Sequence, residues 1–214
     1  MLIRAISGII YAAILWFATS YSETTFSLLF VILGIISIYE MSRLRKEKTK
    51  FLAFAYVLMP FIVVQFFGMT DSDYPESPFD NSYILLMFIL TWTFDTFAFL
   101  TGIKFGKHKI IPSVSPKKSW EGFFGGFIFT ILAAYFSTYF FQSVFQSVKE
   151  IHLFLISITI PFTATLGDFI ESYYKRQAGV KDSSSLIPGH GGMLDRMDAF
   201  MITIPIIYLI INLV

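Results

Sequence analysis

Ser82-Tyr-Ile-Leu-Leu-Met-Phe-Ile-Leu-Thr-Trp-Thr-Phe-Asp-Thr-Phe-Ala-Phe-Leu-Thr101 is a continuous apolar run with one ionisable side chain, Asp95. A helix of about 20 apolar residues crosses the hydrocarbon core of a bilayer. In lipid every backbone amide must be satisfied within the structure, which leaves helices and closed barrels as spanning elements. The run does not alternate, so it reads as a helix and not as a barrel strand. Six further runs of the same character lie at 3–20, 25–42, 51–69, 122–142, 151–170 and 194–214. The expectation is an all-α, polytopic integral membrane protein of about seven transmembrane helices, with residues 1–214 forming one transmembrane domain.

Composition agrees. Hydrophobic residues make up 55% of the chain and charged residues 14%, against about 45–50% and about 25% in soluble proteins. A net charge of +1 argues against a nucleic-acid partner. The chain has no cysteine, which excludes disulfides and thiolate metal sites. Met1–Ser20 lacks a small-x-small cleavage pattern before Tyr21 and reads as a retained first span.

Charge fixes an expected orientation. With the N-terminus in the cytoplasm, the inner segments hold Arg4, then Arg43, Arg45, Lys46, Lys48 and Lys50. They also hold Lys104, Lys107, Lys109, Lys117 and Lys118, then Lys175, Arg176, Lys181 and Arg196. That is 15 of the 16 basic residues, Lys149 being the exception. The outer loop around Pro75 and Pro78 is acidic, with Asp71, Asp73, Glu76 and Asp80. Glu40, Asp95, Asp168 and Glu171 all fall at the cytoplasmic ends of their spans. Glu40, just ahead of a basic run, reads as an acid that snorkels to the surface. Asp95, set in Trp92-Thr-Phe-Asp-Thr-Phe97, reads as functional, because ionisable groups at depth are costly and tend to serve a purpose.

The chemistry is expected in two polar stretches, 95–122 and 167–198. In the second, Asp168, Asp182, Asp195 and Asp198 supply four carboxylates. A helix starting near Met193 would put Asp195 and Asp198 on one face of its first turn. Several hard oxygen ligands without a thiolate suit Mg²⁺, with Asp168, Asp195 and Asp198 as ligands. Salt bridges to Arg176, Lys181 and Arg196 are the plainer alternative. Gly189-His-Gly-Gly192 ahead of the last span offers backbone amides to an anion, and His190 either touches phosphate or braces the loop. In the first stretch, Ser115, Lys117 and Lys118 offer a hydroxyl and two point charges for phosphate. Gly122, Gly125 and Gly126 allow close helix packing. Acids, basic residues and a glycine nest at a membrane surface point to phosphoryl or nucleotidyl transfer involving a lipid.

Ser172, Lys175-Arg176, Lys181-Asp182, Ser184, Ile187-Pro188, His190-Gly-Gly192, Asp195-Arg196 and Asp198 together resemble the signature of the phosphatidate cytidylyltransferases, or CDP-diacylglycerol synthases. Upstream, Asp95-Thr96, Gly102, Gly106, Ser115-Pro-Lys-Lys-Ser119, Glu121-Gly122 and Gly167-Asp168 resemble that family's other recurrent segments. The resemblance covers about residues 81–214. Tyr174 departs from it, standing where the family shows an aliphatic residue or Phe. The N-terminal part is also shorter, as if about two helices were missing before residue 51.

The resemblance implies that CTP and phosphatidate give CDP-diacylglycerol and pyrophosphate, at the cytoplasmic face of a bacterial inner (plasma) membrane. It implies one or two divalent ions, with a monovalent co-ion allowed, and it leaves room for a homodimer. Asp168, Lys175, Lys181, Asp182, Asp195, Arg196 and Asp198 would be catalytic. Ser115, Lys117, Lys118, Ser172, Arg176, His190, Gly191 and Gly192 would bind substrate. The acyl chains would enter by a lateral opening beside the fourth, fifth and seventh spans, lined by Phe123, Phe124, Phe127 and Phe129. The rivals are a CTP-dependent transferase acting on an isoprenoid or archaeal-type lipid phosphate, and a non-enzymatic transporter or scaffold.

Overall fold

The computed structural model describes residues 2–45, 51–68 and 79–214. Lys46, Lys48 and Lys50, and the outer-loop residues Asp71, Asp73, Pro75, Glu76 and Pro78, lie outside the described residues, as does the side chain of Arg4. The architecture is an all-helical bundle. Its elements are α1 (Leu2–Tyr21), α2 (Glu23–Leu44), α3 (Phe51–Val63), α4 (Gln65–Gly68), α5 (Ser82–Phe105), α6 (Trp120–Phe140), α7 (Gln142–Phe145), α8 (Glu150–Gln177) and α9 (Asp198–Leu213). A 3₁₀ turn at Leu194–Arg196 precedes α9.

Four of these helices, α2, α5, α6 and α8, are long and apolar enough to cross a bilayer. Shorter apolar helices at Ile6–Tyr21, Phe51–Phe67 and Asp198–Leu213 coincide with the other three expected spans. Two boundaries differ from the sequence reading. The sixth span does not stop at residue 170. It continues as helix to Gln177, because the Lys175 ammonium is taken inside by acids and need not break away to solvent. The last span starts at Asp198 and not at 194, because Asp195 is drawn back into the preceding loop.

Local chemistry sets the helix ends. Ser22 begins α2 with a capping box, its hydroxyl accepting from the Thr25 amide at 3.2 Å. Ser119 begins α6 in the same way, accepting from Gly122 at 3.2 Å. Gly179, at φ +72°, ends α8 in the left-handed conformation that side chains resist.

Aromatic residues fill the core. Phe200 stacks on Phe30 at 5.4 Å and meets Phe61 at 5.0 Å, tying α9 to α2 and α3. Small residues set the closest approaches. A side chain on Gly122 or Gly126 of α6 would meet the backbone of α5 at 2.7 Å and 2.8 Å, so the glycine stripe lets these two helices lie together as expected. At Gly167 a Cβ would collide with the Asp198 carbonyl, so α8 and α9 touch backbone to backbone there. Thr163 and Thr203 share a hydrogen bond of 2.8 Å between the same helices.

The polar loops converge on one end of the bundle. There the C-terminal ends of α2, α5 and α8 meet the N-terminal ends of α6 and α9. Each loop is pinned by a single bridge, Lys109 with Ser119 and Ile187 with Gly191.

Candidate active site

The close contact at Gly167 brings Asp168 and Asp198 to the same corner. Asp168 Oδ2 pairs with Lys118 Nζ at 2.9 Å, and Lys118 arrives from the α5–α6 loop across the Phe169 ring. Asp198 lies within electrostatic reach of Asp168, Asp95 and Lys118. Asp95 in turn senses Lys118, Asp168 and Arg196. Three carboxylates from α5, α8 and α9 thus share one lysine.

Asp95 and Lys118 also line a cavity of about 690 Å³ between α5, α6 and their connecting loop. Its lining includes the apolar Phe94, Phe99, Ile103 and Phe123 and the polar Lys109, Ser115, Lys117 and Ser119. The cavity lies beside the fourth and fifth expected spans. The seventh does not line it, because α9 is held tight against α8. Phe123 belongs to the wall. Phe127 packs behind it on Phe162, and Phe129 stacks on Phe97 at 3.7 Å. Glu121 secures the loop's other end, accepting from the Lys107 and His108 amides at 3.1 and 3.2 Å.

Asp195 sits in a different environment. Its Oδ1 accepts from Lys175 Nζ at 2.7 Å, and its Oδ2 accepts from the Ser183 and Gly192 amides at 2.9 and 2.7 Å. Lys175 also pairs with the fully buried Glu171 one turn back on α8. Burial pushes the Asp195 carboxyl up, but Glu171, the Lys175 ammonium and the Gly192 amide outweigh it and hold the group at about 2. Asp195 and Asp198 do not share a helical face. The 3₁₀ turn between them sends Asp195 toward the glycine loop and leaves Asp198 facing Asp168.

The remaining expected residues fall as follows. Ser115 and Lys117 line the cavity with Lys118. His190 braces the loop, its Nδ1 meeting the Ser7 hydroxyl of α1 at 2.8 Å. Gly191 adopts φ +86°, and Gly192 lies where a Cβ would come within 2.5 and 2.7 Å of the Glu40 oxygens. Arg176 donates to the Val180 carbonyl at 2.9 Å and so helps close the end of α8. Ser172 is buried on α8. Lys181, Asp182 and Arg196 are exposed. Tyr174 faces the Tyr56 ring and the Arg45 guanidinium, which lies 5.3 Å above it, so this departure from the family pattern has a partner of its own.

Among the described residues no three acids or histidines form a ready cage for an ion. Asp168 Oδ2 nonetheless is buried and receives no hydrogen bond, with only the Lys118 ammonium beside it. A position already occupied by one cation, and supplied with hard oxygens by Asp168, Asp198 and Asp95, fits a divalent cation. Asp195 could join only through Oδ1, since both lone pairs of Oδ2 are taken.

Two functional candidates were not singled out by residue type. Ser183 is buried and bonded to two carboxylates. Glu40, read as a surface acid, is 2% exposed and enclosed by the loop. The available signal was an acid closing an apolar helix, which is expensive unless it is partnered.

Residues 47–214 match the cytidylyltransferase family. A phosphatidate cytidylyltransferase of Rickettsia bellii is 31% identical over 212 residues, covering 97% of this chain and 89% of that protein. One from Haemophilus influenzae is 41% identical over 157 residues, covering 72% of this chain and 54% of the relative. One from Thermotoga maritima is 38% identical over 141 residues, covering 63% and 51%. The short N-terminal part is therefore matched nearly end to end in the rickettsial relative, while the other two are about twice as long as the stretch they share.

Proposed function

The chain belongs to the cytidylyltransferase family, and on that footing we propose that it transfers the cytidylyl group of CTP to phosphatidate, giving CDP-diacylglycerol and pyrophosphate. The observation that carries this choice of lipid substrate is the cavity between α5 and α6. Its apolar lining suits an acyl chain, its lysines suit a phosphate, and Asp95 and Lys118 in the lining connect it to Asp168 and Asp198. The names of the relatives point to the same substrate.

In this reaction an oxygen of the phosphatidate monoester attacks the α-phosphorus of CTP. A new P–O bond forms, the bond from the α-phosphorus to the bridging oxygen breaks, and pyrophosphate leaves. The monoester is already anionic near neutral pH, with a second pKa of about 6, so no strong base is needed. The difficulty is repulsion between two polyanions. Lys109, Lys117 and Lys118 at the cavity rim would neutralise the lipid phosphate. The exposed Arg196, together with Lys181, would meet the triphosphate. Asp168 and Asp198 would hold Mg²⁺, with Asp95 beside them. When bound, the ion supplies charge neutralisation for the triphosphate and the leaving group. Lys175 and the Gly192 amide would fix Asp195. The convergence of inner-end acids and basic loops supports an active site on the cytoplasmic side of a bacterial inner membrane.

The test is pyrophosphate release from CTP by purified protein in detergent, with Mg²⁺ and either phosphatidate or an isoprenyl phosphate. Release that requires both Mg²⁺ and phosphatidate is expected. Folded protein that responds only to the isoprenyl phosphate, or to neither, would overturn the assignment.

A further inference from the structure

Glu40 sits at the end of α2, ahead of the stretch that matches the family, yet it is bound more fully than any other acid near the site. Its Oε1 accepts from the Ser184 hydroxyl at 2.6 Å and the Met193 amide at 3.0 Å. Its Oε2 accepts from the Ser183 hydroxyl and the Leu194 amide, both at 2.8 Å. The four donors fill the four lone-pair positions of a carboxylate. They also come in two pairs, 183–184 before the glycine loop and 193–194 after it. Glu40 therefore closes the base of that loop as a staple would.

Proton accounting sharpens the point. Ser183 Oγ lies 2.8 Å from Glu40 and 3.0 Å from Asp195, but it has one proton to give. Asp195 Oδ2 already receives two amides, so the hydroxyl proton belongs to Glu40. Among the described residues no lysine or arginine pairs with Glu40, so its charge is balanced by loop donors alone. Meanwhile α2 is held to the bundle separately, by Phe26, Phe30, Leu33 and Met41. The carboxylate fixes the loop, and the apolar face fixes the helix.

We infer that Glu40 is a positioning residue for the transfer reaction. It holds the 183–194 loop, and through it Asp195, in the geometry the reaction needs. The kinetic consequence rests on the proposed function, whereas the structural consequence does not.

The experiment uses full-length protein in detergent carrying Glu40→Gln. The amide keeps the shape but turns one acceptor into a donor facing two other donors. Three quantities are read: hydrogen exchange at 183–194, thermal stability, and initial rates against CTP and phosphatidate concentration. Amide protection at Gly192, Met193 and Leu194 should fall about tenfold or more. The kcat should fall at least about tenfold while KM for phosphatidate stays within roughly threefold. The melting temperature should fall as these donors lose their acceptor, so rates are measured well below it. Ser184→Ala removes one donor without touching α2. It should shift exchange and kcat the same way by a smaller factor, and it decides the matter if Glu40→Gln does not fold. Loosened amides with unchanged kcat would overturn the positioning role, and unchanged exchange would overturn the staple itself. Wild-type protein that turns over no phosphatidate would instead defeat the proposed function and leave the exchange result standing.

Discussion

Gly192→Ala and Gly179→Ala separate crowding from backbone strain at the two ends of the same loop. At Gly192 a Cβ would lie 2.5 and 2.7 Å from the Glu40 oxygens and nearer still to the Ser183 hydroxyl. An ordinary contact is about 3.4–4 Å, so both Glu40 and Ser183 must move by roughly an ångström. Moving either breaks hydrogen bonds to a charged group, worth about 1.5–3 kcal/mol each. Losing two costs roughly 3–6 kcal/mol in the loop, enough to lower activity a hundredfold or more if the loop must be closed for turnover. Gly179 presents the opposite case. It has φ +72° with nothing within 4 Å, so alanine there meets only the left-handed penalty of about 1–2 kcal/mol. Pyrophosphate release and thermal denaturation in detergent read both variants. Gly192→Ala should lose nearly all activity, and Gly179→Ala should keep a measurable fraction. Equal losses, or a Gly192→Ala enzyme near wild type, would refute the crowding reasoning.

Four further outcomes follow from the same geometry. Asp195→Asn removes one of the two acids that enclose the buried Lys175 ammonium, so it should lower the melting temperature. Asp198→Asn, which relieves repulsion with Asp168 and Asp95, should abolish turnover at unchanged or raised melting temperature. Lys118→Met removes the ammonium that neutralises Asp168, a pair of about a quarter exposure worth about 1 kcal/mol. Calorimetry without substrate should therefore show roughly fivefold tighter Mg²⁺ binding, while KM for phosphatidate rises. For pH, the folded Asp195 carboxyl is depressed from its ordinary value to about 2 by its hydrogen bonds and the Lys175 ammonium. Its contribution of roughly 2 kcal/mol is present above the unfolded value and lost as pH falls toward 2. Proteolysis of the 178–193 loop should stay constant from neutrality to about pH 4.5 and accelerate below it.

The helices were legible because hydrophobic runs of spanning length are a strong and local signal. So was the glycine stripe on α6, since small residues spaced along one face announce a close neighbour. The convergence of the polar loops was legible too, through the bias of basic residues toward one side. What sequence could not show was which donor each acid receives. Glu40 looked like an ordinary acid before a basic run because two of its four partners are backbone amides more than 150 positions away, and an amide has no signature in the sequence. Asp195 and Asp198 looked like a pair on one face because their spacing fits an α-helix. The 3₁₀ turn that parts them is set by the tertiary bonds of Asp195. The extension of α8 to Gln177 was hidden for a related reason. A run containing Lys175 and Arg176 reads as solvated until Glu171 and Asp195 are seen to enclose the lysine.

The acids near the site divide by the supply of amides around them. Glu40 and Asp195 face a loop whose backbone donors are not used in a helix; the loop saturates Glu40 and fills Oδ2 of Asp195, whose Oδ1 is held by Lys175. Asp95 and Asp168 project from within helices whose amides are already bonded to their own chain, so no backbone donor comes to them. Asp198, at the first position of α9, has a single amide, that of Ala199 at 2.8 Å. These three are left with one lysine between them. An acid saturated with donors is a strut, and one short of donors has capacity for an external cation. The fold thus uses an irregular loop to build rigidity and regular helices to leave charge available. This reverses the common pattern in which helices form the scaffold and loops carry the reactive groups.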